Sequence, residues 1–463
     1  MDVRERLKNV KLGQAKEICD SLRSDLDRYE NRGGVPSAEK DILNALRVGV
    51  HGLCRNLDEL ESSGKLDLLN EDAIETKIHL KTRYIQYFVE VLSLLESSSI
   101  RDVPHEVASP LRREIRKVFP DSDLLVVSKT NLNYTIQEVG SVLREWLKKL
   151  GCDVPREMPN KLFRVAIPST TYKEALLLSI FGHEIGHPIY EEYGFEDDIL
   201  PVNVNKDLLD KYTENIKEEK LDYETPEEEA EIRKEVTKKV TETIDNWVRE
   251  ISSDICGLRI CGPSYVYSFI YFISSISRLD SSKKSHPPPR LRLKILIENM
   301  ESLFGMYRHT SNQTRSFVKD WKSIANGNLS FSDMTQHIAH LSMKENGTYK
   351  EITSAVDDNI PEDIVYKDTQ FEFDLDNLTP LISKQIPPVE VTQDGELNAT
   401  GMTSILNSSW ESYIQGLDGF QKSAIKDESF SQVSEVFNSF VLKSLELSDV
   451  KESWDHVTND IKQ

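Results

Sequence analysis

The chain has 463 residues, 38% of them hydrophobic and 29% charged, with a formal net charge of −21. That supplies apolar material for a sizeable core and for more than one domain. So acidic a chain repels phosphate backbones and anionic bilayers, which excludes nucleic-acid or membrane attachment through bulk charge. The five cysteines, Cys19, Cys54, Cys152, Cys256 and Cys261, are odd in number and contain no CxxC spacing. They read as reduced thiols of a cytoplasmic protein rather than as a disulfide framework. The opening residues Met1 to Arg6 are charged and show no signal-peptide apolar region.

Residues 1–105 read as an N-terminal helical region with three helices. Arg32 to Ser37 breaks the first from the second, and Ser62-Ser63-Gly64 precedes the next break. Asn70 followed by Glu71 and Asp72 starts the third, with acids at the positive end of the helix dipole. Residues 106–308 form the expected central region. A short helix near Leu111–Val118 leads to a strand-like run, Asp123–Ser128, with Asn131–Ile136 as its expected hairpin partner. A helix near Gln137–Leu150 follows, and then a strand at Lys161–Ile167 stopped by Pro168.

The next helix, about Thr171–Glu191, contains His183-Glu184-Ile185-Gly186-His187. Residues 195–226 are expected to be an irregular acidic connection. A long helix then runs from Pro226 to Ile260 on a stripe of Ile232, Val236, Val240, Ile244, Val248, Ile251 and Ile255. The apolar stretch Ser264–Ile276 is short for a membrane span and reads as a buried helix. Ser285-His286-Pro287-Pro288-Pro289 punctuates the chain before a helix from Arg290 to Tyr307. Residues 309–463 are acidic and mostly helical. The expected fold class is α+β and predominantly helical, with a small mixed or antiparallel sheet packed on a helix pair.

His183 and His187 are four apart, so both imidazoles leave one helix face. Two neutral histidines at that spacing can fill two corners of a tetrahedral zinc site. Glu184 lies roughly 100° around the helix and can take a proton from a metal-bound water without being a ligand. A third ligand is needed. Tyr190 and Tyr193 stand where an HExxHxxGxxH pattern would put glycine and histidine, which excludes that solution. The better candidate is Glu250, with Asp254 four residues on to accept the outer N–H of a histidine. Glu191 and Glu192 compete, one turn past His187. Gly182 and Gly186 would allow a neighbouring element to approach closely, which offsets their poor helix propensity.

This pairing of HExxH with a downstream ExxxD resembles the gluzincin metallopeptidases over about residues 120–300. The resemblance implies one zinc ion held by His183, His187 and Glu250, with Glu184 as general base and Asp254 behind His183. It implies a zincin-like helix pair and an edge strand, Lys161–Ile167, that aligns an extended peptide substrate. An oxyanion donor is also required. His286 is the candidate, while Tyr265 and Tyr267 read more simply as core aromatics. His337 and His340 read as a surface helix face, and Cys256 and Cys261 as small buried residues. The expected function is an intracellular zinc metallopeptidase, with the helical flanks as a surface for a regulatory protein. The alternative is a helical interaction scaffold whose metal site is structural or vestigial.

Overall fold

The structure is a computed structural model. It describes residues 3–31, 37–62, 71–98, 103–130, 134–156, 158–169, 173–219, 226–276, 279–280, 283–331, 333–393, 396–417 and 430–462. Among the described residues the chain is mostly helical with two small sheets, an α+β architecture. It forms two compact units, Met1–Thr170 and Thr171–Gln463.

In the first unit, α1 (Val3–Glu30), α2 (Ser37–Ser62) and α3 (Glu71–Ser97) pack on one another. Leu22, Leu26, Leu46, Leu53, Phe88 and Leu95 fill their shared core at helical spacing. Then come α4 (His105–Val118), β1 (Ser122–Lys129), β2 (Thr135–Glu138), α5 (Gly140–Lys149) and β3 (Lys161–Pro168). β1 packs on α2, α3 and α4, and β3 on α5.

The sheet order is β1-β3-β2. β1 pairs with β3 in parallel, Ser122 opposite Lys161, and β2 pairs with β3 antiparallel, Ile136 opposite Val165. Two expectations are thereby corrected. The residues after β1 do not fold back on it as a hairpin, and Asn131 to Asn133 lie outside the described residues. Nor is Lys161–Ile167 an edge strand, because both of its sides are occupied. The physical reason is burial: Leu162, Phe163, Val165, Ala166 and Ile167 leave no polar face, which suits a central strand. The short, half-exposed β2 takes the edge instead.

The second unit opens with a 3₁₀ turn at Ala175–Ile180 that passes into α6 (Phe181–Glu192). The expected irregular connection after it contains a helix, α7 (Lys206–Glu219), as well as a 3₁₀ turn at Phe195–Asp198. Asn205 starts α7 by accepting from the Leu208 amide at 3.0 Å. The acidic composition concealed a capped helix. α8 (Pro226–Cys261) and α9 (Pro263–Ile276) follow, and the Gly262 backbone turns between them at φ 66°. The α8 stripe is buried as expected from Val236 to Ile255, with Ile232 half-exposed. α9 is buried over most of its length, and among the described residues no helix is long and apolar enough to cross a membrane.

The remainder comprises α10 (Pro289–Leu303), α11 (Met306–His309), α12 (Asn312–Ala325), α13 (Met334–Glu345), α14 (Thr348–Asn359), α15 (Asp368–Asn377) and α16 (Thr379–Ser383). A hairpin of β4 (Glu390–Gln393) and β5 (Glu396–Ala399) leads to α17 (Met402–Ile414), and α18 (Phe430–Lys462) is last. α13 and α14 pack on α8, while α12 packs on α10 and α17.

The backbones of α6 and α8 approach each other closely. A Cβ on Gly186 would stand 2.6 Å from the Ser253 Cα, and one on Gly182 would meet Gly257 Cα at 3.0 Å. The expectation that these glycines serve close packing holds, and α8 is the partner. Alanine in a helix interior normally stabilises by about 0.5–1 kcal/mol relative to glycine. At residue 186 the sign should reverse. Gly186→Ala should destabilise by about 1–3 kcal/mol through overpacking, read as a lower denaturant midpoint. A neutral or higher midpoint would mean that the backbones do not meet this closely.

Candidate metal centre

The contact between α6 and α8 sets two faces against each other. α6 presents His183 and His187, and α8 presents Glu250, Ser253 and Asp254. In both cases the i, i+4 spacing aligns the side chains one turn apart. His183 Nε2 lies 3.5 Å from Glu250 Oε2, and His187 Nε2 lies 3.7 Å from Glu250 Oε1. The three donor atoms all lie within 4.8 Å of one another.

This arrangement fits a metal ion. Tetrahedral bonds of about 2.0–2.2 Å place donor atoms about 3.3–3.6 Å apart, close to both histidine–glutamate separations. Glu250 Oε2 is also buried with no hydrogen-bond partner. An orphaned carboxylate oxygen in the core is costly, and a bound cation would satisfy it. Two imidazoles and one carboxylate could therefore hold a divalent ion here and leave a coordination position open.

The groups behind the ligands fix their tautomers. His183 Nδ1 stands 3.0 Å from Asp254 Oδ1, so its Nδ1 proton points there, and Nε2 is the nitrogen that would meet a metal once its own proton is lost. Ser253 Oγ donates to the Arg249 carbonyl at 2.9 Å and so accepts from His187 Nδ1 at 3.0 Å. That likewise frees His187 Nε2.

Asp254 is only 1% exposed and would be untenable alone. Arg292, from α10, grips it with two parallel bonds, Nε to Oδ2 at 2.7 Å and Nη2 to Oδ1 at 2.6 Å. Tyr265, from α9, donates its hydroxyl to the same Oδ1. The Arg292 guanidinium also lies over the Phe269 ring, 4.9 Å from its centroid, and reaches within 3.8 Å of Glu250 Oε2.

These neighbours shift the titrations. Burial opposes charge on His183, but Asp254 and Glu250 outweigh it and raise its pKa to about 10. Burial and then the His183 charge push His187 down to about 3. Burial alone would raise Glu250; His183, Arg292 and His286 instead hold it at about 2. Asp254 is held far below the usual carboxylate range despite its burial, chiefly by Arg292. Tyr265 is driven well above its ordinary value by burial and the Asp254 charge, so it stays a neutral donor.

The other expected residues fall as follows. Glu184 lies on α6 beside His183 and is 8% exposed. His286 reaches the cluster from the segment before α10, its Nε2 3.5 Å from Glu250 Oε2. Its side chain is about half-exposed, so it stands at the mouth of the site. Tyr265 and Tyr267 are buried core aromatics, Tyr267 against Phe317 and Trp410. Glu191 pairs with Arg249 at the surface. His340 is half-buried and bonded to Tyr349, and both His337 and His340 lie against Phe331. Cys256 and Cys261 are buried and in no disulfide, and burial pushes the Cys256 thiol far up.

The sequence reading passed over Arg292 and Ser253. A signal existed for Arg292. Two acids on the buried half of α8 demand a cation, and Arg292 lies between Leu291 and Leu293, both buried, on a helix of the same unit. Ser253 gave no signal beyond its place one residue before Asp254.

Metal binding must displace the His183 proton. With that pKa raised to about 10, affinity should rise roughly tenfold per pH unit between pH 6 and 9, and each ion bound should release one proton. Chelator-competition titrations across this range measure the slope, and a flat profile would mean that His183 carries no proton on Nε2 in the metal-free protein. Comparison with protein-family models, with curated proteins and with solved structures yields no match to this chain.

Proposed function

We propose that the chain is a zinc-dependent metallopeptidase of the gluzincin type. The observation that carries this reading is the convergence of His183, His187 and Glu250 around the orphaned Glu250 Oε2. Two imidazole nitrogens and one carboxylate make the donor set of hydrolytic zinc sites, and three protein ligands leave room for substrate. Zinc in such a set lowers the pKa of a water molecule toward neutrality and polarises a carbonyl oxygen.

The protein's residues supply the rest. His183 and His187 bind through Nε2, held in that tautomer by Asp254 and Ser253. Glu250 contributes negative charge from α8. Arg292 keeps Asp254 ionised and oriented, so that His183 does not rotate. Glu184 takes the proton of the attacking water and returns it to the leaving amine. Ser285 Oγ lies 2.8 Å from His286 Nδ1 and can donate to it, leaving the proton on His286 Nε2. His286 then donates to the carbonyl oxygen as negative charge develops there.

The substrate is a protein or peptide bound in extended form, which passes a half-exposed His286 at the mouth of the site. Five free thiols fit work in the reducing cytoplasm. The helices α1 to α3, which carry none of these site residues, offer a surface for a regulatory protein partner.

Purified protein should hold one zinc ion per chain by elemental analysis. Glu250→Gln should weaken zinc binding by about two orders of magnitude or more, since it removes a charged ligand. Glu184→Gln should keep the zinc and lower peptide cleavage about 10²–10⁴-fold, read by mass spectrometry on a mixed peptide library. Full cleavage by Glu184→Gln removes the peptidase mechanism. Absence of zinc with all three ligands intact removes the metal site itself.

A further inference from the structure

His286 is held by the segment between α9 and α10, and what holds that segment lies on α8. Lys283 and His286 exchange both backbone hydrogen bonds, at 3.1 and 3.2 Å, in a tight turn. The base of the segment is closed by the Arg290 amide on the Leu279 carbonyl at 3.0 Å and by the Arg290–Asp280 ion pair. The three prolines after His286 fix the exit. None of these contacts reaches α8.

Besides the approach of His286 to Glu250, two contacts tie the segment to α8. The Trp247 indole Nε1–H donates to the Lys283 carbonyl at 3.2 Å, and Lys284 pairs with Glu242. The ion pair is exposed and contributes little. The indole is fully buried, and its plane is set by stacking on Phe331 at an interplanar angle of 27°. Phe331 is itself stacked on His337 at 12°. Trp247 precedes Glu250 by three residues, so both lie on one face of α8. One helix therefore carries the metal carboxylate and, a turn earlier, the donor that holds the His286 turn.

We propose that Trp247 is the positioning residue for His286, aligning its Nε2 with the metal centre through the Lys283 carbonyl. The aromatic stack with Phe331 and His337 exists to aim the indole N–H. A buried tryptophan must place its N–H somewhere, so packing alone is the competing account. The catalytic part rests on the metallopeptidase reading, whereas the structural part does not.

Trp247→Phe keeps a ring and removes the donor. Hydrogen exchange at the His286 amide should then speed up roughly three- to tenfold, as expected for loss of one hydrogen bond supporting the turn. Amides of α8 near Glu250 and the zinc affinity should stay unchanged, which shows that the fold persists. Peptide cleavage should fall in kcat more than in KM. In a His286→Ala background, Trp247→Phe should lower kcat no further. Phe331→Leu leaves the N–H but frees the indole plane, and should speed the same amide exchange to a lesser degree.

Unchanged exchange at His286 in Trp247→Phe overturns the proposal. So does a kcat loss that multiplies with that of His286→Ala. If the protein binds zinc but cleaves no peptide, the peptidase reading fails, while the exchange measurement still decides whether Trp247 holds the turn.

Discussion

The candidate centre depends on how closely two helices approach. Gly186 lies against the Ser253 backbone, and Gly182 lies against Gly257. Each glycine costs helix stability, and two in one short helix would be unfavourable if α6 stood alone. Contact between backbones is what makes them worthwhile. It places imidazoles from α6 and carboxylates from α8 within a few ångströms without long, flexible side chains to bridge the gap. A wider separation would leave Glu250 short of both histidines and Ser253 short of His187.

That closeness creates an electrostatic problem of its own. Glu250 and Asp254 are two carboxylates one turn apart, both nearly excluded from water. Their desolvation is costly and their charges repel. The Arg292 fork answers for Asp254, together with the Tyr265 hydroxyl. For Glu250 the neighbours are histidines and the far side of the Arg292 guanidinium, none within hydrogen-bonding geometry of Oε2. The two acids thus differ in kind. Asp254 is fully satisfied by protein and is a structural fixture. Glu250 keeps unused capacity, which is the condition for a ligand.

Much of this was legible in the sequence because it is local. The spacings His183/His187 and Glu250/Asp254 need only helical geometry, and apolar periodicity located α8, whereas the helix expected over Thr171–Glu191 begins only at Phe181, after a 3₁₀ turn. The glycines signalled close approach without identifying what approaches. The misreadings arose where pairing over distance decides. A continuous apolar run such as Lys161–Ile167 fits either an edge or a centre, and only its two neighbours settle that it is central. The hairpin between β1 and β2 failed for the same reason, since β3 serves as partner to both. α7 was hidden by composition, and Arg292 by having no motif. A residue that neutralises a distant buried acid leaves no periodic trace.

The interval between the two motifs is long, and the structure shows what fills it. α7 lies within the interval and packs on α8, and α8 itself spans 36 residues with Glu250 in its second half. The first half of α8 is mostly exposed, and α8 packs against α7 and α13. The second half, from Glu250 onward, is buried nearly all round. A helix is stiff over this range, so added turns at its N-terminus lengthen the arm without moving its buried end. The ligand geometry is set by the glycine contact with α6, which lies wholly in that buried half. Among the described residues, those in between contribute no ligand to the centre. They also give α8 room, upstream of Glu250, for Trp247 and Glu242, the side chains that reach the His286 turn.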